Sequence, residues 1–273
     1  MNKKIILITG GSSGIGRACS EYLANKGHIV FATTRKDVNY KEKNLGLGTL
    51  TLITLDVTKQ NTINEAIKYI LSKYKRIDVV VNNAGFGIAG AIEDVSYEEA
   101  LSQFDVNFFG TINVIKTILP IFREQKQGQI INIGSVAGYV SLPFQAMYSA
   151  SKSAILSYTK ALRNEVKPFN IKVTIIEPGD IKTNFTNNRQ VTKKSDNDSI
   201  YKDRFIKSIE VMANDEKNGS EPIVIAKAVD RVINKKHPAI AITVGLKYKL
   251  FKLLFRLLPE KVSEYAVYLL YGK

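Results

Sequence analysis

The stretch KIILITGGSSGIG, from Lys4 to Gly16, places a short apolar run directly before a loop rich in glycine. The run from Ile5 to Ile8 predicts a buried β-strand, and the pattern from Gly14 to Lys26 predicts a helix. Glycines at such a turn let the backbone approach a diphosphate, while the N-terminus of the helix offers unpaired N–H groups and the positive end of a dipole. We therefore expect a strand–loop–helix unit that holds a phosphate-bearing ligand.

Apolar runs and helical patterns continue to alternate along the chain. Continuous β-branched runs between helices are typical of a parallel sheet that helices cover on both faces. The sequence therefore predicts an α/β fold with a doubly wound parallel sheet, as one domain over 1–245 followed by an amphipathic helical extension over 246–273. The further predicted strands are 29–34, 49–57, 77–85, 128–135, 171–179 and 239–244, and the predicted helices are 62–74, 147–166, 221–234 and one or two within 96–124.

The composition narrows the functional classes. The chain has 273 residues, 45% of them hydrophobic, which is enough to bury a full core. Its single cysteine, Cys19, excludes an intrachain disulfide, and we expect no metal site and a cytoplasmic location. The net charge of +14 is spread along the chain without a basic–aromatic recognition motif, so we expect no nucleic-acid partner. Cys19 is predicted to be buried on the first helix, and His28 and His237 to lie on the surface.

Tyr148 and Lys152 stand four residues apart in MYSASKSAIL, a segment of mostly small and apolar residues. On a helix these positions share a face, so both side chains can reach one site. A free tyrosine loses its proton near pH ~10, and a positive charge at ~4 Å would lower its pKa by roughly three units before desolvation opposes the change. The pair is a candidate for acid–base catalysis. An ordinary amphipathic helix can carry the same spacing by chance.

Four motifs together resemble the classical short-chain dehydrogenases/reductases over nearly the whole chain. They are TGGSSGIG at Thr9–Gly16, NNAG at Asn82–Gly85, IGS ending at Ser135 together with YSASK at Tyr148–Lys152, and PG at Pro178–Gly179. Their order and spacing make independent chance matches improbable. The resemblance implies a Rossmann-type fold and an oxidoreductase that interconverts alcohols and carbonyls with a nicotinamide cofactor, since no side chain can deliver a hydride.

The resemblance also implies roles for individual residues. Tyr148 would be the general acid in carbonyl reduction and the general base in alcohol oxidation, and Lys152 would lower its pKa and hold the nicotinamide ribose. Ser135 would bind the substrate oxygen where charge develops. Asn107, in FDVNFFG, would help to hold a water that leads from Lys152 toward solvent, and a buried structural asparagine is the alternative.

The end of the second predicted strand bears on the choice of cofactor. Members that use NAD usually end this strand with an acidic residue for the ribose 2′-OH, whereas this chain has Thr34 and then Arg35, which suits a 2′-phosphate. We therefore expect NADP rather than NAD, with Asp37, about 20 residues past the glycine loop, as the competing candidate. The predicted cofactor contacts are Gly10, Ser12, Ser13, Gly14, Ile15, Gly16, Arg35, Asp56, Val57, Asn83, Ala84, Gly85, Tyr148, Lys152, Pro178, Gly179, Ile181 and Thr183.

Two segments fall outside the alternation. The polar segment 181–220 is predicted to be either a lid over the strand ends, with a helix inside it, or a disordered surface insertion. LKYKLFKLLFRLL, at 246–258, predicts a helix with Lys249, Lys252 and Arg256 on a narrow arc and apolar residues around the rest. This helix could close a lipophilic pocket, form a subunit contact or lie on a membrane surface, and it is too short to span a bilayer.

The sequence thus predicts an NADP(H)-dependent oxidoreductase that acts on CH–OH groups. The tail and the VFATTR strand resemble those of hydroxysteroid and retinol dehydrogenases, which favours a lipophilic alcohol or ketone as substrate. One alternative is a redox-inactive NADP-binding sensor or scaffold on the same fold, and another is a peripheral membrane protein anchored by 246–258. By resemblance, the helices within 96–124 and 147–166 would pair subunits in a homodimer or homotetramer.

Overall fold

The structure, a computed structural model, describes residues 3–197 and 199–273. Strands and helices alternate along most of the chain. The strands are β1 (Ile5–Ile8), β2 (Ile29–Thr34), β3 (Glu42–Leu45), β4 (Gly48–Thr54), β5 (Val79–Asn82), β6 (Ile88–Ala89), β7 (Gly128–Ile133), β8 (Ile171–Pro178), β9 (Gln190–Val191) and β10 (Ala241–Val244). The helices are α1 (Gly14–Asn25), α2 (Gln60–Tyr74), α3 (Tyr97–Phe104), α4 (Gly110–Glu124), α5 (Ala146–Glu165), α6 (Lys193–Asn197), α7 (Lys202–Lys217), α8 (Ile223–Asn234), α9 (Leu246–Leu257) and α10 (Glu260–Val267).

The centre of the fold is an eight-stranded sheet in the order β10-β8-β7-β5-β1-β2-β4-β3. Strand β3 is antiparallel to β4, and the other neighbours are parallel. Along the sequence, β2 and β4 extend the sheet on one side of β1, and β5 then pairs with the other side of β1. This reversal places a crevice at the carboxyl ends of β1 and β5, which is where open α/β sheets bind ligands. The predicted doubly wound α/β fold, with its predicted strands, is confirmed.

Successive side chains of each strand point to opposite faces of the sheet. Ile5 and Leu7 of β1 belong to a core that α2, α4 and α5 cover. Ile6 and Ile8 belong to the opposite core, against α1 and α8. Because both faces are covered, an uninterrupted apolar run such as Ile5–Ile8 is buried along its whole length.

The region 96–124, predicted to hold one or two helices, contains α3 and α4 joined by a wider helical turn. Ser96 begins α3 with a capping box, in which its Oγ accepts from Glu99 N and its own N donates to the Glu99 carboxylate. Between α3 and α4, residues Asp105–Phe109 form a π-helical turn, closed by a bond from Gly110 N to Asp105 O. Asn107 lies in this turn and is buried, with 2% of its surface exposed.

The segment 181–220 is tied together at its base. Ile181 and Ser220 form a parallel bridge, and Lys182 N donates to Ser220 O over 3.0 Å. Its described residues include β9, which pairs with β6, and α7, whose Phe205 packs edge-on against Phe144. A helix within this segment was predicted, and α7 is that helix. The described part is folded against the domain, and its opening and closing as a lid stays a prediction.

The tail folds back as α9, α10 and a π-helical turn at Tyr268–Gly272. In the part of the chain that the structure describes, each helix is too short or too polar to cross a bilayer. On α9, Lys249 and Arg256 are exposed, whereas Lys252 is half-buried. It turns inward, where its Nζ lies 2.6 Å from a carboxylate oxygen of Glu177.

Cys19, His28 and His237 each have a predicted location, buried for the cysteine and on the surface for the histidines. Cys19 is fully buried on α1, as predicted, and burial raises the pKa of its thiol to about 12. His237 is exposed, as predicted. The surface location predicted for His28 is wrong, because the residue is 1% exposed and its Nδ1 accepts a bond of 3.3 Å from Lys4 N. Burial lowers the pKa of His28.

Candidate active site

A cleft of about 970 Å³ opens at the carboxyl ends of the central strands. The structure brings nearly all of the predicted site residues to its wall. Two are set back from it: Gly16, where a Cβ would meet the Gly10 carbonyl oxygen at 2.2 Å, and Asn107. The predicted residues that line the cleft are Gly10, Ser12, Ser13, Gly14, Ile15, Arg35, Asp56, Val57, Asn83, Ala84, Gly85, Ser135, Tyr148, Lys152, Pro178, Gly179, Ile181 and Thr183.

The glycine loop forms one end of the cleft in a conformation that suits a diphosphate. Gly10 and Gly14 have φ angles of 61° and 52°, in the left-handed region that favours glycine. Ser13 precedes the first turn of α1 without a side-chain capping bond, and that turn carries no acidic residue. The backbone N–H groups at the start of α1 are therefore available to an anion, as the dinucleotide interpretation requires.

The end of β2 brings basic residues to the same part of the cleft. Thr34, Arg35 and Lys36 all line it, whereas Asp37 is not among the described residues that do. Lys36 was not predicted, although its place next to Arg35 in the sequence could have suggested it. Just after the neighbouring strand β4, the Asp56 carboxylate accepts bonds of 3.0 and 2.8 Å from Thr58 N and Oγ1, which fix its orientation.

Ser135, Tyr148 and Lys152 meet at the middle of the cleft. Ser135 follows β7, and its Oγ accepts a bond of 3.1 Å from Ala137 N. Tyr148 lies in the first turn of α5, and its side chain is close enough to Ser135 for that residue to affect the acidity of its hydroxyl. Lys152, one turn later, donates over 3.1 Å to the Ile133 carbonyl, and its Nζ lies 5.7 Å from the centre of the Tyr148 ring. The structure thus brings the hydroxyl of Ser135, which follows β7, together with the hydroxyl and the amine that α5 carries.

Burial has the largest effect on the acidity of both Tyr148 and Lys152. It raises the pKa of Tyr148 to about 12, against the opposing effect of the Ser135 hydrogen bond. Burial also lowers the pKa of Lys152 to about 8, because a charged ammonium loses its hydration. Desolvation opposes ionisation of Tyr148, as expected, and the lowering of its pKa by Lys152 stays a prediction.

Asn107 lies behind the cleft wall and ties three segments together. Its Oδ1 accepts from Phe86 N over 3.0 Å, and its Nδ2 donates to Phe86 O over 3.0 Å and to Ser151 Oγ over 3.1 Å. A Cβ at Gly85 would lie 3.0 Å from Asn107 Oδ1 and 3.6 Å from Lys152 Nζ, so these three residues are adjacent. These contacts give Asn107 a structural role, and its water-holding role stays a prediction.

Beyond Tyr148 the cleft is walled by residues that sequence reasoning missed. The Phe185 ring lies 5.5 Å from the Tyr148 ring. The tail contributes a wall of its own, in which the Tyr248 hydroxyl donates to Asp180 over 2.5 Å. Only the amphipathic pattern of the tail hinted at such contacts, because each joins residues that are distant in sequence. The tail residues in this wall are Lys247, Tyr248, Phe251, Leu270 and Tyr271.

The described residues contain no group of three or more histidine, cysteine, aspartate or glutamate side chains placed to hold a metal ion. The polar groups at the middle of the cleft are the Ser135 and Tyr148 hydroxyls and the buried Lys152 amine. A doubly wound sheet, a glycine loop and a serine–tyrosine–lysine cluster at the switch point define a dinucleotide-dependent oxidoreductase.

The chain belongs to the short-chain dehydrogenase family, whose model matches residues 4–194. It is 38% identical over 273 residues to the 3-ketodihydrosphingosine reductase of Bacteroides thetaiotaomicron, covering 100% of this chain and 99% of the relative. Among solved structures, a short-chain dehydrogenase from Streptomyces avermitilis aligns with a TM-score of 0.79 at 28% identity, over 96% of this chain and 98% of that one. The predicted family membership is confirmed.

Structures with bound cofactors support a nicotinamide dinucleotide as the ligand of this fold. A 3-ketoacyl-(acyl-carrier-protein) reductase from Brucella melitensis in complex with NADH aligns with a TM-score of 0.73 at 25% identity, over 88% of this chain and 96% of that chain. ElxO with NADP bound also aligns with a TM-score of 0.73 at 25% identity, over 91% and 100% of the two chains. These neighbours hold both forms of the cofactor, so the choice between them depends on the residues of this chain.

Proposed function

We propose that this protein is an NADPH-dependent carbonyl reductase that interconverts a ketone and an alcohol on a lipophilic substrate. The observation that carries the proposal is the meeting of Ser135, Tyr148 and Lys152 between the glycine loop and the wall formed by the tail. A dinucleotide laid along the loop would end at these residues, and a substrate would enter from the tail side.

Reduction of a carbonyl adds a hydride to its carbon and a proton to its oxygen. The bound nicotinamide supplies the hydride to carbon. Tyr148 would donate its hydroxyl proton to the carbonyl oxygen, and Ser135 would stabilise that oxygen by a hydrogen bond as charge develops on it. Lys152 would hold the ribose and favour the tyrosinate left behind. Alcohol oxidation is the same step reversed, with Tyr148 as the base.

The preference for NADPH rests on the basic end of β2. Arg35 and Lys36 line the cleft beside Thr34, and both are exposed, so they can reach a 2′-phosphate. An acidic side chain at this point would instead favour the 2′-OH of NADH. Asp37 is exposed and is absent from the described lining of the cleft, which supports Arg35 over the competing candidate.

The substrate region supports a long apolar ketone. Its wall includes Phe185 together with Phe251 and Leu270 of the tail, which can cover a hydrocarbon chain. The Bacteroides relative is named for the reduction of 3-ketodihydrosphingosine, a ketone on a long-chain amino alcohol, and it matches this chain through the tail as well as the domain. We therefore propose 3-ketodihydrosphingosine, or a ketone of similar length, as the substrate.

The test is a series of ketones of increasing chain length, with 3-ketodihydrosphingosine at its upper end, followed by the loss of NADPH absorbance. Efficiency should rise with chain length, because each buried methylene contributes about 0.8 kcal/mol. Tyr148→Phe, which lacks only the hydroxyl, is the matched control for enzymatic turnover. Equal efficiency for short and long ketones would contradict the substrate proposal, and wild-type rates in Tyr148→Phe would contradict the mechanism.

A further inference from the structure

Helix α9 has two faces of different composition. Its inward face carries Tyr248, Phe251, Lys252 and Phe255, all half-buried. Its outward face carries leucines that are exposed by 46% to 83% of their surface. At 3.6 residues per turn these leucines fall within an arc of about 100°. They are Leu246, Leu250, Leu253, Leu254 and Leu257, and we call them the leucine face.

Positive charges border the leucine face on both sides. Lys247 flanks one edge, and Lys249 and Arg256 flank the other, at positions set by the same helical spacing. All three side chains are exposed, and α9 contains no aspartate or glutamate. An apolar stripe between two cationic edges matches the layering of an anionic bilayer surface, where the acyl region lies beneath negative headgroups.

A second copy of the chain fits this face less well than a bilayer does. Two leucine faces pressed together would bring the basic edges of one α9 close to those of the other, and each chain carries a net charge of +14. Like charges at a short distance oppose association, whereas anionic lipid neutralises them. The charge pattern therefore favours a lipid surface as the occupant.

We propose that the leucine face docks on an anionic membrane surface, with α9 lying in the plane of the interface. The same helix supplies Lys247, Tyr248 and Phe251 to the cleft, so docking would hold the tail wall of the cleft beside the lipid. A lipophilic molecule could then pass between bilayer and cleft with little exposure to water. The docking itself does not rest on the proposed substrate, because it depends only on the outward side of α9.

The experiment measures sedimentation of the full-length protein with vesicles of phosphatidylcholine that contain about 30% phosphatidylglycerol. Leu250→Gln/Leu257→Gln should lower the bound fraction by about tenfold or more, because two anchoring side chains lose their apolar surface. Leu47→Gln, at a leucine that is 83% exposed in the turn between β3 and β4, is the control and should bind as wild type. NADPH affinity should be unchanged in all variants, since Leu250 and Leu257 are outside the cleft lining.

The contribution of the basic side chains to membrane binding is tested separately. Lys249→Gln/Arg256→Gln should weaken binding to the anionic vesicles by up to about thirtyfold, and about 0.5 M salt should weaken wild-type binding in the same direction. Absence of wild-type sedimentation, or full sedimentation of the leucine variant, would overturn the proposal. So would a wild-type dimer in solution that the leucine variant converts to a monomer without any change in vesicle binding. Because NADPH affinity is followed in parallel, failure of docking is distinguishable from failure of the proposed function.

Discussion

Glu177, near the carboxyl end of β8, is paired with Lys252 of α9, whose Nζ lies 2.6 and 2.8 Å from the two carboxylate oxygens. The Glu177 side chain is 1% exposed and also accepts a bond of 2.8 Å from Thr243 Oγ1. A carboxylate so far from water needs a partner of opposite charge, and the tail supplies it. The ion pair therefore fixes α9 to the end of the sheet, beside the cleft.

Lys252→Met should lower the free energy of unfolding by about 1–3 kcal/mol, because it leaves the Glu177 carboxylate buried without its cation. The double variant Glu177→Gln/Lys252→Met should recover most of that loss, since no buried charge remains. Urea unfolding of both variants measures the difference, with the exposed neighbour Lys249→Met as a control that should match wild type. Equal losses in the single and double variants would show that the ion pair is not the cause.

Tyr148→Phe should bind NADPH with wild-type affinity and lose about 100- to 10,000-fold in turnover, the usual contribution of a general acid. The ring and its contact with Phe185 are retained, so the change is confined to the hydroxyl. Fluorescence titration with NADPH measures affinity, and steady-state reduction of a long-chain ketone measures turnover. A variant that turns over normally would remove Tyr148 from the mechanism.

Arg35→Ala should weaken NADPH much more than NADH, because a charge-assisted contact to the 2′-phosphate exists only for NADPH. Asp37→Ala is the matched control, two residues away and equally exposed, and it should leave both affinities unchanged. Titration of each protein with both cofactors gives the ratio of its NADPH affinity to its NADH affinity. If Asp37→Ala instead weakens NADH alone, the acidic candidate for the ribose contact is the correct one.

Lys152 should make stability depend on pH in a defined window. Burial lowers its pKa from 10.5 to about 8, so between these values the unfolded chain binds more protons than the folded one, and folding becomes more favourable as pH rises. Relative to Lys152→Met, the cofactor-free wild type should gain about 3 kcal/mol across the window, at about 1.4 kcal/mol per pH unit. Denaturant unfolding at several pH values measures the free energy of unfolding of both proteins. The same pH dependence in both would contradict the lowered pKa of Lys152.

The parts of the fold and site that the sequence predicted are those that depend on local spacing. An uninterrupted apolar run such as Ile5–Ile8 specifies a strand covered on both faces, whatever its neighbours are. Tyr148 and Lys152 share a helical face because four residues separate them. Ser135 joins them because its strand ends at the same edge of a parallel sheet, so topology converts three local patterns into one cluster.

Other features depend on residues far apart in the chain. Glu177 and Lys252 are 75 residues apart, and no local sequence pattern around either residue predicts that they pair. Strand β3, with the sequence EKNL, is mostly exposed and lacks apolar alternation, so only its pairing with β4 makes it a strand. The pKa of Tyr148 depends on how deeply the folded cleft buries it, and the sequence spacing does not show that burial.

The π-helical turn at Asp105–Phe109 accommodates one extra residue between α3 and α4. A π-turn holds one residue more than an α-turn, so α4 continues from α3 with its register advanced by one position. Deleting one residue of the turn would let α3 run into α4 as a regular α-helix, with Val114, Ile115 and Ile118 still facing the core. The bonds from Asn107 to Phe86 and Ser151 would be lost, because they depend on the wider turn. The extra residue thus serves the placement of one side chain behind the cleft, and the packing of α4 against the sheet does not need it.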